Sequence, residues 1–258
     1  MELGQALSRL QVEVSIYNRG DTLVGIRDPK VLQEAWKVFK EELDIYGKTQ
    51  TQLARSDGGK IKVRYIQAGQ PRVQDKEFDV ILAAIGRKPN IEHLDLGTTG
   101  MELDHSGVPI YNPVTQQTSI PHIFIAGDAR GGLLELHMAS DEGHTAGMNA
   151  ASYPEVKPGL RRSRLSIAFT NPQIMMVGSS FNALDEGSIV IGEVSFRNQG
   201  RSRVMLKNKG LLRTYFDKKT RLLLGAEGIG PDLEHLGHLL AWAVSYTHLR
   251  AHETRHDL

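Results

Sequence analysis

Apolar residues recur at Leu3, Ala6, Leu7 and Leu10, the three-and-four spacing that lines one face of a helix. Directly behind them Val12, Val14 and Ile16 alternate with polar residues as a strand does, and Asn18-Arg19-Gly20-Asp21 closes the run with turn residues. A helix passed at once to a short strand is the second half of a βαβ unit. No capping residue precedes the helix, so the unit's first strand and the loop feeding the helix are expected to be missing. A second helix is predicted from Asp28-Pro29, where Pro29 suits the first turn and Val31, Leu32, Ala35, Val38 and Phe39 share a face. Ile61–Ile66 reads as a strand after the turn Asp57-Gly58-Gly59. Two nearly continuous apolar runs follow, Phe78–Ile85 ending at Gly86 and Ile120–Ala126 ending at Gly127-Asp128. Such runs read as strands buried on both faces, as in a parallel sheet. In open α/β sheets ligands bind beyond the carboxyl ends of such strands.

The mixture of Pro, Gly and Arg over 151–164 marks a boundary. Beyond it, strand-like pieces at 166–169, 189–196, 204–206, 211–216 and 221–224 are separated by hairpin turns at Asn208-Lys209-Gly210 and Asp217-Lys218-Lys219-Thr220. A closing helix from Asp232 to about Val244 carries Leu233, Leu236, Leu239, Leu240 and Ala243. Antiparallel sheet plus helix is an α+β module. The glycines of Gly225-Ala226-Glu227-Gly228-Ile229-Gly230 are in the wrong order for a phosphate loop and read as a turn between sheet and helix. Trp36 and Trp242 fall on helix faces, as core or interface residues do.

Composition narrows the chemistry. Lys plus Arg is 31 and Asp plus Glu is 30, a net charge of +1, which argues against a nucleic-acid or acidic-lipid surface. With hydrophobic residues at 40% and charged at 24%, the chain is globular in composition. Cysteine is absent, which excludes disulfides, thiolate catalysis and cysteine-ligated metals within the chain. With no apolar run of membrane-spanning length, a soluble, cytoplasmic protein is expected.

The most specific pattern is Thr118-Ser119-Ile120-Pro121-His122-Ile123-Phe124-Ile125-Ala126-Gly127-Asp128, set downstream of Gly86-Arg87-Lys88-Pro89-Asn90. Gly127 lets a ligand approach the backbone, and Asp128 offers a charged acceptor to hydroxyl groups. A Gly-Asp pair alone is a commonplace strand end. Closing this longer pattern, in this order, it resembles the flavoprotein disulfide reductases that bind two dinucleotides, most of all the dihydrolipoyl dehydrogenase branch. The resemblance continues through Leu134-Glu135-Leu136-His137, Asp141-Glu142-Gly143, the segment Phe169–Ile174 with Val177-Gly178, Gly200-Arg201, Lys207–Asp217 and Leu224-Gly225-Ala226. It covers about Glu2 to Val244.

That resemblance implies an α/β fold: partial FAD- and NAD(P)-binding, Rossmann-like domains followed by an α+β dimerisation domain. The implied divisions are 1–88 for the nucleotide domain's remainder, 89–157 for the segment with the Gly-Asp motif and 158–244 for dimerisation. Gly127 and Asp128 are expected at the ribityl chain of FAD. Leu134, Glu135, Leu136 and His137 are expected to face the flavin at a helix N-terminus, where negative charge is stabilised. Gly86 would admit the nicotinamide cofactor. In the family an acid often ends the second strand of the nucleotide unit and binds the adenosine ribose. Here Asn18 stands there, followed by Arg19, which would tolerate or pair a 2′-phosphate, so NADP is expected beside NAD. Expected partners are a second copy, in a homodimer, and the parent's dithiol or disulfide substrate, with no nucleic acid and no membrane.

The departures matter equally. The glycine fingerprint that holds pyrophosphate, the N-terminal FAD domain with its redox cysteine pair and the C-terminal His–Glu acid/base pair have no counterpart, so no catalytic residue is assigned. Residues 245–258 leave the family's pattern and resemble a translated sequencing adaptor. Their His248, His252 and His256 share a helical spacing that could suggest a metal site, but none is expected. The parent reaction implied is electron transfer between a dithiol, FAD and NAD(P), the fragment itself being inactive. Alternatives are a non-catalytic dimerisation module, or a glutathione reductase-like or mercuric reductase-like parent.

Overall fold

The computed structural model describes residues 1–56, 58–132, 135–159 and 162–247, without the side chains of Pro71, Tyr246 and Thr247. They group into two compact units, one from Met1–Leu82 with the described part of Ser163–Leu258, the other from Ala83–Arg162.

The first unit opens with α1 (Glu2–Arg9). The helix forms as its spacing predicts, and on its apolar face Leu3, Leu7 and Leu10 are 63%, 39% and 75% exposed. The helix docks instead through polar side chains. Gln5 is buried, donates to Glu42 Oε2 at 3.0 Å and to the Asn171 carbonyl at 2.8 Å, and accepts from Asn171 N–H at 2.8 Å. A satisfied amide can be buried where an unsatisfied one cannot. Strand β1 (Ser15–Tyr17) pairs in parallel with β2 (Asp44–Tyr46). Between them lies α2 (Pro29–Lys40), which forms as its sequence predicts. The carboxylate of Asp28 accepts from the N–H groups of Lys30 at 2.9 Å and Val31 at 3.2 Å, and Pro29 takes the first turn, where no N–H is needed.

Strands β3 (Thr49–Arg55), β4 (Ile61–Gln67) and β5 (Gln70–Phe78) form an antiparallel meander. Tyr17 stacks on Tyr46 with ring centres 5.1 Å apart, and Tyr65 lies 4.9 Å from Tyr17. The buried strand expected at Phe78–Ile85 is not formed. β5 stops at Phe78, and Val80, Leu82 and Ile85 are 79%, 62% and 96% exposed. A strand needs a hydrogen-bonding neighbour, and among the described residues no strand pairs with 79–85.

In the second unit the strand expected at Ile120–Ala126 is likewise replaced by isolated bridges, Tyr111 to Thr118 and Gln117 to Phe124. The unit closes with α3 (Leu136–Ser152). Asn149 holds the chain that follows, donating to the Thr115 and Lys157 carbonyls at 2.9 Å each.

The first unit resumes with β6 (Leu165–Ala168), β7 (Gln173–Gly178), β8 (Ile189–Ser195), α4 (Gly200–Val204), β9 (Leu211–Asp217), β10 (Leu223–Gly230) and α5 (Leu233–Trp242). The strands make one antiparallel sheet in the order β6-β7-β10-β9-β8. On one face α5 packs Leu233 and Ala241 against Leu165, Met175, Val177 and Ala226. On the other, α2 packs Val31, Ala35, Val38 and Phe39 with Ile174 and Ile229. Two expectations fail here. The glycine-rich 225–230 is the sheet's central strand, not a turn, and Gly225 passes so close to β7 that a Cβ would strike the Ser179 and Val177 carbonyl oxygens. Residues 204–206 are the exposed end of α4 and the turn after it rather than a strand. The hairpin at 217–220 forms as expected, with Asp217 accepting from Lys219 and Thr220 N–H at 2.9 and 2.7 Å.

A buried ionic cluster ties α2 to this sheet. Asp28 Oδ2 accepts from Arg213 at 2.5 Å and from the Tyr215 hydroxyl at 3.0 Å. Glu227 accepts from the N–H groups of Arg27, Asp28 and Phe181 at 2.7, 2.8 and 2.9 Å. All four side chains are buried.

Candidate functional site

Chain leaving the extended Ala126 turns sharply through a single 3₁₀ turn, Gly127–Arg130. Gly127 has φ of +64°, where a side chain is strained, and a Cβ there would sit 3.2 Å from that of Ala139 on α3. The turn is held from behind by Glu142, also on α3. Its carboxylate accepts from Gly127 N–H at 3.0 Å and from Arg130 Nε at 2.6 Å, with a second Arg130 contact at 2.6 Å. Arg130 also donates to the Tyr111 hydroxyl at 3.2 Å. Burial alone would lower the Arg130 pKa; its bonds to Glu142 outweigh that and raise it. Arg130 stays charged.

Held this way, Asp128 projects a carboxylate that is 55% exposed. It lies 3.2 Å from Arg87 of the Gly86–Asn90 motif, so the two sequence motifs meet at this ion pair. Gly86 itself has φ of +115° with open space around it. At the start of α3, Glu135 and His137 approach each other at 3.4 Å, and Leu136 is 88% exposed. Among the described residues no side chain caps α3, which leaves its first N–H groups to other acceptors. Leu134 lies outside the described residues, as do His248, His252 and His256. Among the described residues no group of three His, Asp or Glu side chains could hold a metal ion.

Asn18 and Arg19 belong to the first unit, at the carboxyl end of β1. Asn18 N–H donates to the Tyr46 carbonyl at 2.8 Å, and its side-chain amide donates to the Thr22 carbonyl at 2.6 Å. That leaves Asn18 committed to shaping the turn. Arg19 is exposed, with no ion pair among the described residues. In the same turn Asp21 pairs with Lys48 at 3.0 Å, which holds its carboxyl below the usual range.

Sequence reasoning gave no role to Arg87, Arg130, Tyr111 or Glu142. The signal for the last was an acid on the helix following a Gly-Asp turn, readable only once helix and turn are in contact.

A glycine–aspartate turn clamped to a helix in one unit and a helix-backed antiparallel sheet in the other are shared with the flavoprotein disulfide reductase fold. The model of the pyridine nucleotide-disulphide oxidoreductase family covers residues 1–143, and that of the family's dimerisation domain covers 165–256. This chain belongs to the pyridine nucleotide-disulphide oxidoreductase family. It is 29% identical over 240 residues to a dihydrolipoyl dehydrogenase of Bacillus subtilis, covering 91% of this chain and 50% of that protein. It is 30% identical over 243 residues to a dihydrolipoamide dehydrogenase of Chaetomium thermophilum, covering 90% and 46%. The chain thus spans about half the length of the curated relatives it matches. The fold is similar to that of the HOCl-induced flavoprotein disulfide reductase RclA from Escherichia coli, with a TM-score of 0.78 at 18% identity over 95% of this chain and 55% of that one. It is similar too to LpdA from Mycobacterium tuberculosis, with a TM-score of 0.78 at 22% identity over 95% and 52%.

Proposed function

We propose that this chain is the nucleotide-binding and dimerisation part of a flavoprotein dihydrolipoyl dehydrogenase. Residues 1–88 would supply the nicotinamide-nucleotide side, 89–157 the flavin side and 158–244 the dimer surface. The carrying observation is the Asp128 carboxylate, half-exposed on a turn that Glu142 and Arg130 hold rigid. There Gly127 admits a ligand and Asp128 accepts from ribityl hydroxyls. The uncapped N–H groups at the start of α3, at Leu136 and His137 behind Glu135, would offer donors to the flavin's anionic edge. Bound FAD would supply the electron chemistry between dithiol and nicotinamide. Asp128 and α3 bind and orient it, and Arg87 neutralises Asp128 until hydroxyls replace it.

The 258 residues alone are not a disulfide reductase in this reading, since no Cys can receive electrons from a flavin. The test is lipoamide-dependent oxidation of NADH and NADPH by purified residues 1–258 with excess FAD. No turnover above a free-flavin blank is expected; turnover abolished by Asp128→Ala overturns it.

Arg19 carries the cofactor preference. Exposed and without an ion pair among the described residues, it can form charge-assisted bonds to a 2′-phosphate, which Asn18 does not repel. We expect 2′,5′-ADP to bind more tightly than 5′-AMP by roughly tenfold, one such bond being worth about 1.5–3 kcal/mol. Equal affinities, or a preference that survives Arg19→Ala, sink the idea.

A second reading has its own support: the helix-backed five-stranded sheet is the largest sheet among the described residues, with an apolar core on each face. A colourless, folded dimer would favour a dimerisation module without flavin. Flavin absorbance in the purified protein would favour the first reading.

A further inference from the structure

Chain-wide charge balance hides a local asymmetry. Between Glu193 and Asp217 there is no acidic residue, while Arg197, Arg201, Arg203, Lys207, Lys209 and Arg213 fall in that stretch. Arg213 is buried against Asp28, and Lys209 pairs with Glu41 at 2.5 Å. The other four are exposed and make no ion pair among the described residues.

Among these cations stand three apolar side chains that the fold turns outward. Val204 is 86% exposed, Met205 41% and Leu206 88%. Their presentation is built in. Gln199 caps α4, accepting from Ser202 N–H at 2.6 Å, and Ser202 is the buried face of that short helix. At about 100° per residue, Val204 then points almost opposite Ser202, flanked by Arg201 and Arg203. Leu206 follows in the left-handed region, with φ of +55°, and Lys207 N–H returns to the Ser202 carbonyl at 2.8 Å. An aliphatic side chain held exposed is unfavourable in water and favourable where it enters an apolar phase.

We propose that the 197–207 loop docks on an anionic phospholipid bilayer, with Val204 and Leu206 entering the acyl boundary and Arg197, Arg201, Arg203 and Lys207 meeting the headgroups. Apolar insertion and polybasic attraction reinforce each other at such a surface, each being marginal alone. A second copy of the chain fits poorly, because a twofold contact would set cations against cations. Nucleic acid fits poorly too, because the exposed residues at the tip are aliphatic and offer no ring for base stacking.

The experiment is co-sedimentation of the full chain with vesicles of phosphatidylcholine alone and of phosphatidylcholine with about one-third phosphatidylserine. Binding is expected only to the second, weakening as salt shortens the screening length. Arg201→Glu with Arg203→Glu should lower partitioning about tenfold or more. Val204→Asp with Leu206→Asp should do the same without removing a cation. Circular dichroism confirms that each variant folds. Equal binding to both vesicles, no binding to either, or full retention by the aspartate pair overturns the proposal. So does single-stranded RNA that competes the protein off the vesicles while binding the aspartate pair undiminished. So does self-association that the glutamate pair abolishes.

Discussion

Asp28 does three jobs at one position. It caps α2, neutralises the buried Arg213 and accepts from Tyr215, and those last two residues sit on β9. Buried ion pairs contribute little net stability, because desolvation offsets the attraction, but removing Asp28 leaves the buried Arg213 with only the part-exposed Glu193, at 3.2 Å. Asp28→Ala should therefore cost about 3–5 kcal/mol, more than loss of a cap alone. Denaturant unfolding checks this. A loss under about 1 kcal/mol would show that water reaches Arg213 and that the cluster is not sealed. Sequence showed Asp28 as a helix start and nothing more. Its partners lie 185 and 187 positions away, which no local pattern reveals.

At the scale of elements, legibility followed dependence on neighbours. Helix α2 was readable because cap, proline and apolar face all sit within its own sequence. The runs at 78–85 and 120–126 read correctly as apolar but wrongly as strands, since a strand is a property of two segments. Glu227 and the glycines around it looked like a turn until β7 and β9 lay on either side. The Gly-Asp turn was visible as a motif, while its clamp was not. The tyrosine cluster joining β1, β2 and β4 permits a prediction. Burial first, then the neighbouring Tyr65 and Asp44 charges, push the Tyr17 hydroxyl up to about 12, and burial likewise raises Tyr46. Groups whose folded pKa is raised stabilise the fold below their unfolded value, near about 10, and that contribution is lost as pH rises towards about 12. Thermal stability should thus fall across that window, and Tyr17→Phe should flatten the fall. An identical alkaline profile in the variant would assign the loss to other groups.

At the scale of the molecule, the question is which surface remains for a second copy. Within the segment assigned to dimerisation, the apolar residues Ile167, Phe169 and Ile174 to Val177 are mostly spent inside the subunit. Ile174, Met175, Met176 and Val177 are 0%, 0%, 5% and 1% exposed, and Ile167 packs against the α5 side of the core. Sheet strands covered on both faces by helices have no apolar side to offer. Apart from the 204–206 loop and Val194 on β8, what stays outside includes Phe169, 65% exposed, and a ridge on α5 where Leu239 and Trp242, three residues apart, are 60% and 61% exposed. Residues at that spacing share one helix face. Tryptophans in such positions commonly dominate association. Sedimentation of the full chain should show a dimer at micromolar concentration, and Trp242→Glu should weaken it by at least about a hundredfold, matching the 2 kcal/mol or more of a binding hot spot together with the burial of a charge. The substitution is on an exposed face, so folding should survive it. A dimer untouched by Trp242→Glu would move the interface elsewhere. A folded monomer of the unaltered chain would remove it altogether.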